Sequence, residues 1–165
     1  FSYAKHVFNP VTPTTLSAST YQFPRMYHLA SQLGMQVPCY VLSPVSKDGF
    51  ISVDHLWFYP WDKTQFMPVM QIEETDGQWV VVPFVYYDAT YAAFWRDIPK
   101  KLQKQLVALI SKLDLVVGEA YFKVGKSWVF YGLRPYLGEK SLNIDLHDEV
   151  SQCLVDLGEE VLRNG

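Results

Sequence analysis

The chain has 165 residues, a net charge of −3 and a pI near 5.8. That length suits one domain. Aromatic residues at 16% and charged residues at 19% point to a compact folded protein rather than a disordered one, and the acidic balance argues against a nucleic-acid binder, which normally carries a basic face.

Phe1 to Thr20, with Pro10 and Pro13 among many Ser and Thr residues, has no clear periodicity and reads as an extended N-terminal arm, residues 1–20, ahead of a single domain, residues 21–165. The chain opens on Phe1 rather than Met, so its natural start and any targeting segment are expected to lie upstream. From Tyr21 to Leu33, Met26, Leu29, Ala30 and Leu33 recur at helical spacing. They predict a first helix with Pro24 in its opening turn and Gly34 as terminator.

Four strands are expected next, over Gln36 to Leu42, Gly49 to Tyr59, Met67 to Glu73 and Gln78 to Tyr87. Pro38 demotes the first to an edge or short strand, and Pro83 is expected at a bulge or edge position of the fourth. Thr75, Asp76 and Gly77 supply a turn that predicts an antiparallel hairpin of the third and fourth strands. Two of these stretches are apolar on both alternating faces. Val80, Val82, Phe84 and Tyr86 oppose Trp79, Val81, Val85 and Tyr87, and Leu56 and Phe58 oppose Trp57 and Tyr59. A half-exposed strand would alternate apolar with polar, so the sheet is expected to be covered on both sides or to offer an aromatic face to a partner.

A helical region is expected from about Thr90, with Pro99 starting or kinking a helix. In Pro99 to Leu113, Leu102, Leu106, Leu109, Ile110 and Leu113 form the apolar stripe, with the lysines largely outside it. Val116 to Val124 and Ser127 to Arg134 read as a second hairpin turning at Gly125 and Lys126. Asp145 is a candidate N-cap of a closing helix whose seam is Val150, Leu154, Leu157 and Val161. Charge is uneven along this half. Arg96, Lys100, Lys101, Lys104 and Lys112 stand against Asp97, whereas Glu139 to Gly165 holds seven acids against Lys140 and Arg163.

The element order is therefore helix, four strands, helix, two strands, helix, an α+β fold with a mostly antiparallel sheet. From the Pro99 helix through the Val116 to Arg134 hairpin to the Asp145 helix, about 65 residues by the extent of that order, the chain resembles the type III secretion chaperone-like superfamily. The resemblance implies a protein-binding module, usually dimeric. The long Pro/Thr arm and the aromatic first sheet depart from that pattern.

No catalytic, metal or cofactor site is expected. Asp54 and His55 are neighbours on a strand and point to opposite faces, a poor catalytic pair. Asp145, His147 and Asp148 need no metal, since the first is a cap and residues share a helix face only three or four apart. Cys39 has no visible activating base, and Cys153 sits beside Leu154 as packing. The two are far apart without ligand spacing, so a disulfide scaffold is not expected. Gly125, Lys126 and Ser127 lack the upstream glycine of a phosphate loop and read as a turn. The adjacent pairs Glu73 with Glu74 and Glu159 with Glu160 do not form an acid/base dyad.

The candidate site is aromatic. Trp57, Tyr59, Trp61, Trp79 and Tyr87 combine apolar area with polar tips and, together with Phe66, are expected to bind a protein partner, a peptide or a second copy in a dimer. An edge near Pro38 could also accept an added strand. The alternatives are a small enzyme or ligand-binding domain with an aromatic pocket, and an assembly subunit whose arm docks on a neighbour. The chain lacks an apolar run long enough for a membrane helix and lacks a signal peptide pattern. Membrane insertion and nucleic-acid binding are not expected, and a cytoplasmic location is.

Overall fold

The computed structural model describes residues 22–43, 48–52, 69–88, 91–135, 137–138 and 144–164. Helix α1 (Gln22–Gln32) is followed by strands β1 (Tyr40–Ser43), β2 (Phe50–Ser52), β3 (Val69–Glu73), β4 (Gln78–Asp88) and β5 (Tyr91–Phe94). Then come α2 (Lys100–Lys112), β6 (Val117–Val124), β7 (Trp128–Arg134) and α3 (Ile144–Asn164). The α+β class and its antiparallel pairing agree with the sequence reading. The expected arm lies outside the described residues.

The local signals explain the helices. Met26, Tyr27 and Ala30 bury one side of α1, and Gly34, at φ 77°, ends it. There the Met35 N–H reaches the Ala30 carbonyl at 3.0 Å, the long bond of a Schellman turn. Pro99 precedes α2 with φ −54°, and Leu102, Leu106, Leu109 and Ile110 bury its stripe. That helix closes where Leu113 N–H reaches the Leu109 and Ile110 carbonyls and Asp114 turns to φ 52°.

The strands make two sheets. One is three-stranded with order β1-β3-β2, the other four-stranded with order β5-β4-β6-β7. The expected hairpin of Met67 to Glu73 with Gln78 to Tyr87 is therefore not formed. β3 is bonded on one side by β1 and on the other by β2, which leaves it no edge for β4. Thr75, Asp76 and Gly77 instead carry the chain from one sheet to the other. The helical region expected from Thr90 is corrected as well, since Tyr91–Phe94 pairs with β4. Tyr91 and Phe94 are aromatic residues of the kind enriched in strands.

β4 is central, and its proline is accommodated by register. Pro83 gives its carbonyl to Trp95 N–H at 3.1 Å, so its ring nitrogen faces the side where β5 has already ended its pairing at Phe84 with Phe94. The missing N–H falls at an edge position, as the sequence implied. Pro38 precedes β1, an edge strand. The β6–β7 hairpin turns through Gly125, Lys126 and Ser127, because Val124 pairs with Trp128; this is one residue longer than the two-residue turn expected. Gly118 is required where β6 passes β7, since a Cβ there would lie 2.1 Å from the Arg134 carbonyl oxygen.

Helices cover both faces of the four-stranded sheet. On one face Val82, Phe84, Ala120 and Phe122 pack with α1 and α2 through Met26, Ala30, Leu106 and Leu109. On the other, Val85 packs with Val150 and Leu157 of α3. This is the physical answer to two-faced apolarity in β4: each row of its side chains meets a different helix layer. Deep in the first layer Tyr27 donates to the Tyr131 carbonyl at 2.9 Å. Burial, with a smaller push from Tyr131, holds the Tyr27 hydroxyl well above its usual range.

Candidate functional site

The row of β4 that faces α3 changes character along its length. Val85 is buried and Tyr87 half-buried against the α3 cluster, but Trp79, at the other end of the strand, is 45% exposed. The two predicted site residues Trp79 and Tyr87 share a row and are not brought together, since eight residues of strand separate them by about 26 Å. Trp57, Tyr59, Trp61 and Phe66 lie outside the described residues.

What surrounds Trp79 comes from three segments. Lys123 of β6 is its cross-strand partner, and the ammonium sits 5.2 Å from the indole centroid. Lys123 is only 6% exposed. It donates to the Thr75 carbonyl at 2.9 Å and lies 3.3 Å from the Glu74 carboxylate, so its charge is buried but fully engaged. Tyr131 meets the indole edge-to-face, with centroids 4.9 Å apart. It can do so because Tyr121 pairs with Gly132 and Phe122 with Phe130, leaving Tyr131 as the extra residue of a bulge. Its hydroxyl accepts from Thr75 N–H at 3.0 Å and donates to the Glu73 carbonyl at 3.1 Å. The bulge thus clamps the segment between the two sheets and fixes the indole.

The same side of β6 carries a second polar group. Glu119, Tyr121 and Lys123 alternate along the strand and form one row. Glu119 is 1% exposed, and its carboxylate accepts from the Tyr121 hydroxyl and from Gly138 N–H. Arg134 is the register partner of Glu119 and places its guanidinium 4.9 Å from the Tyr121 ring centroid. This cluster ties the chain after β7 to the sheet just before α3 begins.

The sequence reading missed Lys123, Tyr131, Glu119, Tyr121 and Arg134. A signal existed for three of them, because Glu119, Tyr121 and Lys123 form a polar row of period two inside an otherwise apolar strand. No local signal marks Tyr131, whose position depends on the bulge. Neither Cys39 nor Cys153 is in a disulfide. Among the described residues no group of three His, Cys, Asp or Glu side chains is placed to hold a metal, and no helix is long and apolar enough to cross a membrane.

Neither a protein-family model nor a curated protein matches this chain. Solved structures do. The macrocyclase MdnB from Microcystis aeruginosa MRC is 17% identical with a TM-score of 0.60, over 90% of this chain and 58% of MdnB. The macrocyclase MdnC bound with precursor peptide MdnA, from the same source, is 16% identical with a TM-score of 0.54, over 80% of this chain and 58% of MdnC. The ATP-grasp ligase PsnB complexed with precursor peptide PsnA2 and AMPPNP is 15% identical with a TM-score of 0.59, over 93% of this chain and 63% of PsnB; PsnB complexed with a phosphomimetic variant of minimal precursor, Mg and ADP also matches. The chain therefore spans less than two thirds of the length of these structures. The resemblance to type III secretion chaperones is overturned by these matches, which are to macrocyclases and an ATP-grasp ligase. The order of elements alone is a weak guide to the fold, and the fold this chain shares is that of part of these macrocyclases and of this ATP-grasp ligase.

Proposed function

We infer that this chain binds a peptide segment at the end of the four-stranded sheet marked by Trp79, without catalysing a reaction on it. The observation that carries the reading is an indole left 45% exposed while Tyr131 and Lys123 hold its orientation. A fixed, half-exposed Trp is an anchor whose ordering cost is already met in the free protein. The backbone supports the same mode. Gln78 to Val82 of β4 pair with β6 on one side, and among the described residues no strand pairs with them on the other, so Trp79 and Val81 offer a short ladder to an extended peptide. That MdnC and PsnB are matched with precursor peptides bound is in keeping with a peptide partner. Trp57, Tyr59, Trp61 and Phe66 belong to the stretch joining β2 to β3 and enter the proposal as further aromatic contacts.

The Mg present with PsnB raises the question of whether the buried carboxylate of the sheet here fits a divalent ion. It does not. Glu119, the buried carboxylate of the sheet, is engaged by a phenol and a peptide N–H, and its partner across the strands is the cation Arg134. A divalent ion at that carboxylate would displace both donors and face a guanidinium. Peptide binding at Trp79 needs neither metal nor nucleotide.

The test is selection of a random peptide display library on the immobilised full chain, followed by affinity measurement of the selected peptides. Trp79→Ala is expected to weaken them by about tenfold or more with the unfolding midpoint nearly unchanged. Trp57→Ala combined with Tyr59→Ala is expected to weaken them as well. Unaltered affinities in both variants would reject the reading.

A further inference from the structure

Helix α2 carries lysines at 100, 101, 104 and 112 and no acidic residue in KKLQKQLVALISK. All four are exposed, as is Arg96 just before the helix. At 100° per residue the four lysines fall within an arc of about 120°, shared only with Ala108 and Ser111, and run about 18 Å along the axis. None of them forms an ion pair among the described residues. α3 has the opposite sign, with six acidic residues against Arg163, whose guanidinium donates to Glu159 one turn away at 2.8 Å. A solvated helix face normally interlaces charges of both signs. On α2, Lys100 and Lys104 repel one turn apart, and Lys100 and Lys101 oppose the positive end of the helix dipole.

From this uncompensated ridge we propose that the exposed face of α2 docks an acidic segment of a protein partner. Charge complementarity selects the occupant. The ridge matches an extended segment of about five residues at roughly 3.4 Å each, and the small side chains of Ala108 and Ser111 let its backbone lie close. The remainder of the chain is acidic, for a net charge of −3, and repels a long polyanion such as a nucleic acid while leaving a short acidic segment free to settle on the lysines. α2 covers the face packed with Val82, Phe84 and Phe122, opposite the row that holds Trp79. The surface is therefore independent of the peptide site proposed above, and either can fail without the other.

The experiment is fluorescence anisotropy on the full chain with three labelled probes: a short Glu-rich peptide, its Gln counterpart and a single-stranded DNA oligonucleotide. The Glu-rich peptide is expected to bind, the Gln peptide not, with affinity falling as salt is raised. Lys100→Glu with Lys104→Glu is expected to lower that affinity at least about tenfold, and Lys126→Glu, which changes the same type of charge at the β6–β7 turn, less than about twofold. Circular dichroism shows whether the double variant stays folded. Equal binding by the double variant, or an equal loss in Lys126→Glu, overturns the proposal. So does an oligonucleotide that binds more tightly than the Glu-rich peptide, because the ridge would then serve a nucleic acid.

Discussion

The two faces of the β5-β4-β6-β7 sheet are finished by opposite means. Under α1 and α2 the face is dry, with Phe84, Phe122, Phe130, Leu106 and Leu109 all fully buried. Under α3 the apolar cluster is small, built around Val85, Val150 and Leu157, and most of the row along β6 is polar: Glu119, Tyr121 and Lys123, each with a specific partner. Close packing accounts for the first face, and directional bonds for much of the second. The difference teaches where stability and recognition separate, because a side chain such as Trp79 can stay exposed only beyond the end of a helix cover, where its neighbours hold it without enclosing it.

Truncating the dry face is expected to have the largest effect. Phe122 meets Trp128 and Phe130 edge-to-face at 5.5 and 5.7 Å, and Phe122→Ala is expected to cost about 3–5 kcal/mol in a denaturant titration. On the polar face Glu119→Ala strips partners from Gly138 N–H and the Tyr121 hydroxyl, for about 1–3 kcal/mol, with faster amide exchange at Gly138. If the second loss equalled the first, the contrast between the faces would be gone. The smallest effect is expected on the solvent side of α3. The pair of Arg163 with Glu159 is exposed on both partners, and after solvent screening Arg163→Ala should lower stability by about 0.5 kcal/mol or less, which a thermal melt in low and high salt can check.

The helices were legible because their signals are local. Leu102, Leu106, Leu109 and Ile110 recur at the period of a helix turn, and Gly34 and Pro99 mark boundaries through their own backbone preferences. The β6–β7 hairpin was legible for the same reason, with a turn one residue longer than read. The pairing of the upstream strands was not. Thr75 to Gly77 is a good turn in isolation, but whether it closes a hairpin depends on which strands occupy the sides of β3, and those are contributed by residues up to 32 positions away from their partners along the chain, as Tyr40 is from Ile72. Tyr91–Phe94 misled in the same way, since a four-residue apolar run carries too little periodicity to tell a strand from a helix turn.

For the candidate site the division is similar. Trp79 and Tyr87 stand out in the sequence as large aromatics on one row of an apolar strand, and nothing local distinguishes them. Their fates differ because α3 reaches Tyr87 and not Trp79. The partners of Trp79 arrive from β6 and from a bulge in β7, and a bulge is set by register between strands rather than by either strand alone.

By itself the sequence determined the class of fold, the helices and their apolar faces, the uneven distribution of charge and the demand that both rows of β4 be covered. Each follows from the chemistry of residues close together in the chain. Tertiary structure alone decided that the strands divide into two sheets, that one row of β4 lies under α3 only in part, and that Lys123 and Tyr131 converge on Trp79. The last of these rests on contacts between residues 44 and 52 positions apart, whose relative placement no local preference encodes.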